Sequence, residues 1–260
     1  MTVLLLKLLL TPLLIGLVTL AGRRWGPVVN GLLVGMPLTS GPISFILAKQ
    51  YGLQFATKAA SGNLAGQVAM CVFCLTYGLL AQKRKWIVCA ASAIGAYLIS
   101  TVGLNSIPWR LPWAFLVLIG AIVAVSWILP KQAYARSSSA PPAWDLPARI
   151  VAATAMVFII SESANALGPQ LSGLISTFPV FAVIFASFTQ FQQGADATLP
   201  LLRSLVLGSA SFALFFLAVG VCLLPLGIAA TYAIAVGAAL TASGFSYAIT
   251  KDRRQTVVSP

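Results

Sequence analysis

No histidine occurs in this sequence, and only four acidic side chains stand among its 260 residues. The first absence removes the commonest metal ligand and the side chain that most readily gains and loses a proton near neutrality. With so few carboxylates besides, a protein-only metal site has no donor set. No carboxylate dyad, Ser/His couple or Walker loop is present, so nothing points to an enzyme or to a cofactor. Cysteine is sparse as well: Cys71, Cys74, Cys89 and Cys222 all sit inside apolar runs. Cys71-x-x-Cys74 has the spacing of a redox or zinc pair, but no second pair accompanies it. It reads as two small polarizable packing residues. Charge of either sign is scarce, 8 % of the chain, where a soluble domain carries about 25 %.

What remains is apolar. The hydrophobic fraction is 59 % and the mean hydropathy +0.96. Uninterrupted runs of about 20 residues, the length that crosses a bilayer, recur from end to end. The net charge of +12 does not indicate a nucleic-acid partner, because the basic residues form short clusters between apolar runs. Loops facing a cytoplasm look like this. Nine spans are expected, near 3–21, 27–48, 58–81, 86–104, 112–130, 149–165, 169–190, 200–223 and 227–249. The first contains Lys7 and lacks a small-residue cleavage signal, so it reads as a span and not as a leader. Residues 131–148, with Ser137-Ser138-Ser139, Pro141-Pro142, Asp145 and Pro147, read as a flexible polar loop.

One pattern occurs twice. Gly26-Pro27 through Gly31-Leu32-Leu33 to Pro37 matches Gly168-Pro169 through Gly173-Leu174-Ile175 to Pro179, both G-P-x-x-x-G-L-(L/I)-x-x-x-P. The same ungapped register carries Gly52, Gly66, Gly78 and Gly95 onto Gly194, Gly208, Gly220 and Gly237. This is the mark of internal duplication. Repeat 1 then covers 1–104 and repeat 2 covers 149–250, each with four spans. Between them, 105–148 holds a linker helix and the polar loop, and 251–260 is a basic tail.

Parity and charge give an orientation. Four spans return the chain to its starting side, and the linker helix carries it across, so the second repeat enters inverted. Twelve of the 16 basic residues fall on one side, among them Arg23, Arg24, Lys83, Arg84, Lys85, Arg149 and Arg203; Lys7, Lys49, Lys58 and Arg110 fall on the other. The positive-inside rule places the N-terminus outside and the C-terminus in the cytoplasm.

The run from Leu171 to Gly194, with Ser172-Gly173-Leu174-Ile175-Ser176-Thr177-Phe178-Pro179-Val180-Phe181, resembles the GlpM-like proteins. These are small bacterial inner-membrane proteins with a G-L-x-x-x-F-P-T-F-A-type second helix. The likeness extends over 149–250. The first half keeps only the Gly/Pro skeleton, with Met36 in the place of Phe178 and Thr39 in that of Phe181. The resemblance implies a bacterial inner-membrane location and brings no activity with it. Ser176-Thr177-Phe178-x-x-Phe181 is also similar to the Thr/Ser/Phe track of fluoride channels, although here the track follows one helix and not two.

Pro37 and Pro179 fall about ten residues into their spans, near the midplane. A proline removes a backbone donor and clashes with the preceding turn, and in lipid the freed carbonyl must find a partner or line a cavity. Thr39, Ser40, Gly41 and Pro42 beside Pro37 predict a broken helix. Paired interruptions in inverted halves mark a transporter site. The candidate substrate-binding residues are Asn30, Pro37, Thr39, Ser40, Asn63, Gln67, Glu162, Ser172, Ser176, Thr177, Phe178 and Pro179. Asn63 and Gln67 share one helical face, and Glu162 is the acid nearest a span.

The sequence therefore predicts an all-α polytopic membrane protein of nine transmembrane helices, two four-helix inverted-topology repeats joined by a linker helix. Its expected partners are the lipid bilayer and a small solute; association into homo-oligomers is left open. The expected function is secondary transport of that solute. Exposed helix N-termini and the lack of acids lean toward an anion or a zwitterion. The alternatives are a small-ion, fluoride-like channel and a non-transporting membrane component of a cell-envelope assembly.

Overall fold

A computed structural model describes residues 2–130, 142–167 and 178–255, and of 2–8, 160–167 and 249–255 only the backbone. The described residues are helical throughout. The helices are α1 (Thr2–Trp25), α2 (Pro27–Gly35), α3 (Ser40–Tyr51), α4 (Leu53–Ala81), α5 (Trp86–Asn105), α6 (Leu111–Ile128), α7 (Asp145–Leu167), α8 (Val180–Gln193) and α9 (Ala195–Gln255). Among the described residues five stretches are long and apolar enough to cross a membrane: Pro27–Tyr51 taken across its break, Leu53–Ala81, Trp86–Asn105, Leu111–Ile128 and Ala195–Ala248.

A straight helix the length of α9 would reach about 90 Å. It reverses instead at Gly227, whose φ of 72° and ψ of −177° are not helical. The arms 195–226 and 228–255 run back along each other. Ser211 and Ser243 share a hydroxyl hydrogen bond of 2.6 Å, and the Ser246 hydroxyl donates to the Leu207 carbonyl at 3.4 Å.

The loops expected at 49–57 and 192–198 shrink to one residue each. Gly52 (φ 88°) joins α3 to α4, and Gly194 (φ 77°) joins α8 to α9. Positive φ costs glycine nothing, so a single residue turns the chain where a loop of ordinary residues would need several. Helix α7 likewise starts earlier than the sequence suggests, at Asp145. Residues 131–141 of the expected polar loop lie outside the described residues.

The helix ends keep one register. Tyr51 and Gln193 close α3 and α8, and Leu53 and Ala195 open α4 and α9. Trp86 opens α5, and Ile228 opens the second arm of α9. Each pair is 142 apart, the separation of Gln67 and Ser209, which are joined by a hydrogen bond of 2.8 Å.

Polar contacts sort the helix ends onto two faces. Arg23, at the end of α1, meets Asp145, at the start of α7, so these two helices run antiparallel. Gln190 near the end of α8 donates to the Ala81 and Arg84 carbonyls at the end of α4. Arg203 on α9 donates to the Leu129 carbonyl after α6 at 2.8 Å. All these ends lie on one face, the basic face of the molecule, which also carries Lys83 and Lys85. The six tryptophans, Trp25, Trp86, Trp109, Trp113, Trp127 and Trp144, all stand at or within a turn of helix ends, where an indole sits at a membrane–water boundary. Between these belts Ile99, Leu116 and Val123 are exposed.

The closest packing is between α2 and the first arm of α9. Gly31 and Gly35 of the repeated motif lie on the backbone of Leu201, Leu205 and Gly208, and a Cβ on Gly208 would stand 2.6 Å from the Leu32 carbonyl oxygen. Small residues spaced by four let two helix backbones touch. Alanine at Gly35 or Gly208 should therefore lower the melting temperature of the purified protein by several degrees. Gly95→Ala, on α5 with nothing within 4 Å, should leave it unchanged or slightly raised, since glycine in a helix costs about 1 kcal/mol relative to alanine. Equal melting temperatures for all three variants would show that this crossing has room to spare.

Candidate functional site

Helix α2 is stopped by the residues just beyond it. Pro37 disfavours the helical conformation in the preceding residue, and Met36 is extended (φ −74°, ψ 158°). The chain stays out of helix until Ser40. Within the break the Leu38 N–H donates to the Met36 carbonyl at 2.8 Å, and the Gly41 N–H to the Pro37 carbonyl at 2.9 Å. Pro42 lies in the first turn of α3, where its missing N–H is not needed. Of the second motif, residues 168–177 lie outside the described residues. Phe178 and Pro179 are non-helical, and α8 starts at Val180, whose N–H donates to the Phe178 carbonyl at 2.9 Å.

A cavity of about 310 Å³ lies against the first break and against Phe178 to Phe181 at the start of α8. Of the residues expected at a site, Thr39, Ser40, Asn63, Gln67, Phe178 and Pro179 line it. Asn30 does not: it is buried against Gly22 of α1, and its side-chain oxygen has no partner there. Pro37 is buried within the break, and its neighbours Met36 and Leu38 form the wall in its place. Glu162 lies on α7 with its side chain outside the described residues, as are Ser172, Ser176 and Thr177 altogether.

The two α4 amides are held differently. Asn63 donates to its own helix at the Ala59 carbonyl, 3.0 Å away. Gln67 donates to the Ser209 hydroxyl, which in turn donates to the Leu205 carbonyl, so it joins α4 to α9 as well as facing the cavity.

Several lining residues were not singled out from the sequence. Tyr97 on α5 reaches the cavity with its ring 6.0 Å from that of Phe178. A tyrosine in the middle of an apolar span was a usable signal, since its hydroxyl needs a partner there. Ser44, Met36, Met70 and Phe212 also line the space; Met and Phe in an apolar run carry no signal of their own. Phe212, Phe215 and Phe216 pack in the interior. Cys71 and Cys74 are free and buried in the core of α4.

The cavity is flanked on both sides by contacts between distant parts of the chain. Toward the basic face, Phe73 and Tyr77, further along α4, are fully buried. Beyond them the Gln190 amide holds α8 to the end of α4 and lies 3.7 Å from the Cys89 sulfur. Away from the basic face, the Ser44 hydroxyl on α3 and the Tyr232 hydroxyl on the second arm of α9 share a buried hydrogen bond of 2.8 Å. The Tyr232 ring stands edge-on to Phe45 at 5.1 Å and to Phe215 at 6.0 Å.

At the basic face Asp145 gathers three donors: Arg149 Nε at 2.7 Å, Gln192 Nε2 at 2.5 Å and Arg23 Nη2 at 3.1 Å. The Arg149 guanidinium lies over the rings of Phe185 and Phe188. Burial pushes the Asp145 carboxyl up, but the Arg149 charge, with the hydrogen bonds from Arg149, Gln192 and Arg23, outweighs it and holds the group below the usual carboxylate value. A depressed folded value contributes stability above the unfolded pKa of about 3.9, and that stability is lost as pH falls through the folded value. The melting-temperature gap between wild type and Asp145→Asn should therefore be full above about pH 4 and close on further acidification. A gap independent of pH would show that the carboxylate charge is not what the arginines hold.

Compared with protein-family models, curated proteins and solved structures, the chain matches none.

Proposed function

We propose that this protein is a secondary transporter of a small solute in the bacterial inner membrane, with the cavity between the two helix breaks as its binding site. The observation that carries this reading is a cavity lined by the first break, at Met36 and Leu38 to Ser40, and by Phe178 to Val180 at the start of α8. Interrupted helices in corresponding positions of two halves build such sites in transporters. In this reading the nine spans form two inverted four-helix repeats with a linker helix, the N-terminus outside and the C-terminus in the cytoplasm. The recurring helix ends, the antiparallel α1 and α7 and the Gln67–Ser209 contact between equivalent positions support that arrangement. The GlpM-like stretch supports the inner-membrane location.

Alternating access then has two candidate gates in equivalent places. Helix α3 closes on the α9 hairpin through Ser44 and Tyr232, and α8 closes on the α4–α5 hairpin through Gln190. Each gate joins the continuation of one repeat's broken helix to the hairpin of the other repeat. A carrier opens one gate at the expense of the other, and a pore does not.

Side-resolved thiol labelling tests this in a background without native cysteines. A cysteine at Ser40 should react with an impermeant maleimide in whole cells and also in inside-out vesicles. Tyr232→Phe should speed the outside reaction and slow the inside one, and Gln190→Ala should do the reverse. Reaction from both sides without reciprocity favours the channel, and reaction from neither side favours a non-transporting envelope component. As a topology control, position 51 should label only from outside and position 84 only from inside. Labelling of both from one side would overturn the topology.

A further inference from the structure

Among the described residues the cavity offers no ion to pair with; the Glu162 side chain lies outside them. Among the described residues none of the lining side chains is charged. Asp145 is committed at the basic face, and Asp196 lies in the first turn of α9 at the same face. Lys49, Lys58 and Arg110, the bases expected on the opposite side, are exposed. Taking an ionised group out of water costs several kcal/mol unless a charge or a full set of hydrogen bonds awaits it.

The lining is neutral and two-natured. Asn63 and Gln67 place two carboxamides one turn apart on α4, each with an N–H donor and a carbonyl acceptor. Other elements bring ring surface, Tyr97 from α5 and Phe178 and Phe181 from the second break. The first break also presents opposite helix ends to the same space. The carbonyl end of α2 comes in at Val34 to Met36, and the amide end of α3 at Thr39 and Ser40. Their partial charges have opposite sign, so the positive end alone does not set the preference.

We propose that the cavity binds an uncharged, flat solute with a carboxamide or lactam edge. The α4 amides pair with that edge, donor to acceptor and acceptor to donor, and the aromatic rings take its face. A volume of about 310 Å³ lies at the small end of ligand pockets, which run from roughly 300 to 1,000 Å³, so the solute has one or two rings. This rests on reading the cavity as the transport site. It replaces the leaning toward an anion or zwitterion, which rested on helix N-termini and the scarcity of acids.

The test is equilibrium dialysis of the purified full-length protein against three labelled ring compounds of similar size. They are nicotinamide, which is uncharged, nicotinate, an anion, and phenylalanine, a zwitterion. Nicotinamide should bind saturably and the other two should not. Asn63→Ala, whose side chain bonds to its own helix, should keep the wild-type melting temperature and weaken nicotinamide about fivefold, the worth of one net hydrogen bond. Gln67→Ala should weaken it at least as much, and since it also loses the Ser209 contact its melting temperature is read alongside. Saturable binding of nicotinate or phenylalanine overturns the proposal, as does equal nicotinamide affinity in wild type and Asn63→Ala. Binding of none of the three overturns it too. The thiol-labelling pattern is unaffected by any of these results, so failure of the solute class stays distinct from failure of the transport reading.

Discussion

Backbone polar groups in an apolar layer have nowhere to go but to each other. Most of this chain obeys by staying helical. Between Gly35 and Ser40 it does not, because Pro37 removes a donor and forces Met36 to be extended. The freed groups are partly satisfied by short local bonds, Leu38 to Met36 and Gly41 to Pro37. The rest of the site depends on that interruption. It ends α2 short enough for Gly31 and Gly35 to be pressed against α9, and it starts α3 on the far side of the cavity. It also turns Thr39 and Ser40 toward the space left between.

The contact between Gln67 and Ser209 bears on the arrangement of the halves. If the halves are two copies, as proposed, equivalent residues would meet only near the axis relating them, and this hydrogen bond would lie beside it. Gln67 also lines the cavity. In the proposed inverted arrangement the axis lies in the membrane plane, which puts the cavity where both faces are equally distant. The two one-residue joints at Gly52 and Gly194 fit the same scheme, with φ of 88° and 77° at equivalent positions. Local backbone conformation and long-range pairing thus agree on one register.

Much of this was legible in the residues. Proline beside glycine and hydroxyl side chains located the first break to within a residue, and the repeated glycines carried the register. Six of the eight expected site residues whose side chains are described line the cavity, four of them polar, because a polar side chain inside an apolar run has few other uses. Asn30 misled for a physical reason: it faces α1 and not the cavity, and helical spacing alone does not say which neighbour a face will meet. The expected loops misled because one positive-φ glycine replaces a whole loop, and composition cannot separate a turning glycine from a packing one. Asp145 had the look of a loop residue among prolines and serines. Its partners Arg23 and Gln192 lie far away in sequence, and no local pattern announces such a contact.

The scarcity of charge has a consequence for how such a molecule moves. The contact away from the basic face is one hydrogen bond between hydroxyls, Ser44 to Tyr232, together with ring packing. The contact toward the basic face is one amide donating to two carbonyls. A net hydrogen bond is worth about 1 kcal/mol, which shifts a two-state equilibrium about fivefold. Locks of this size hold a conformation without trapping it, whereas a buried ion pair at either place would cost about 3–5 kcal/mol to break by loss of one partner. Among the described residues the one ionic cluster, at Asp145, instead ties α1 to α7 and α8 beyond the cavity, where a movement of α3 would leave it intact. In the proposed transporter the acids are few because contacts that must open work better without them, and the positive charge is left to the basic face.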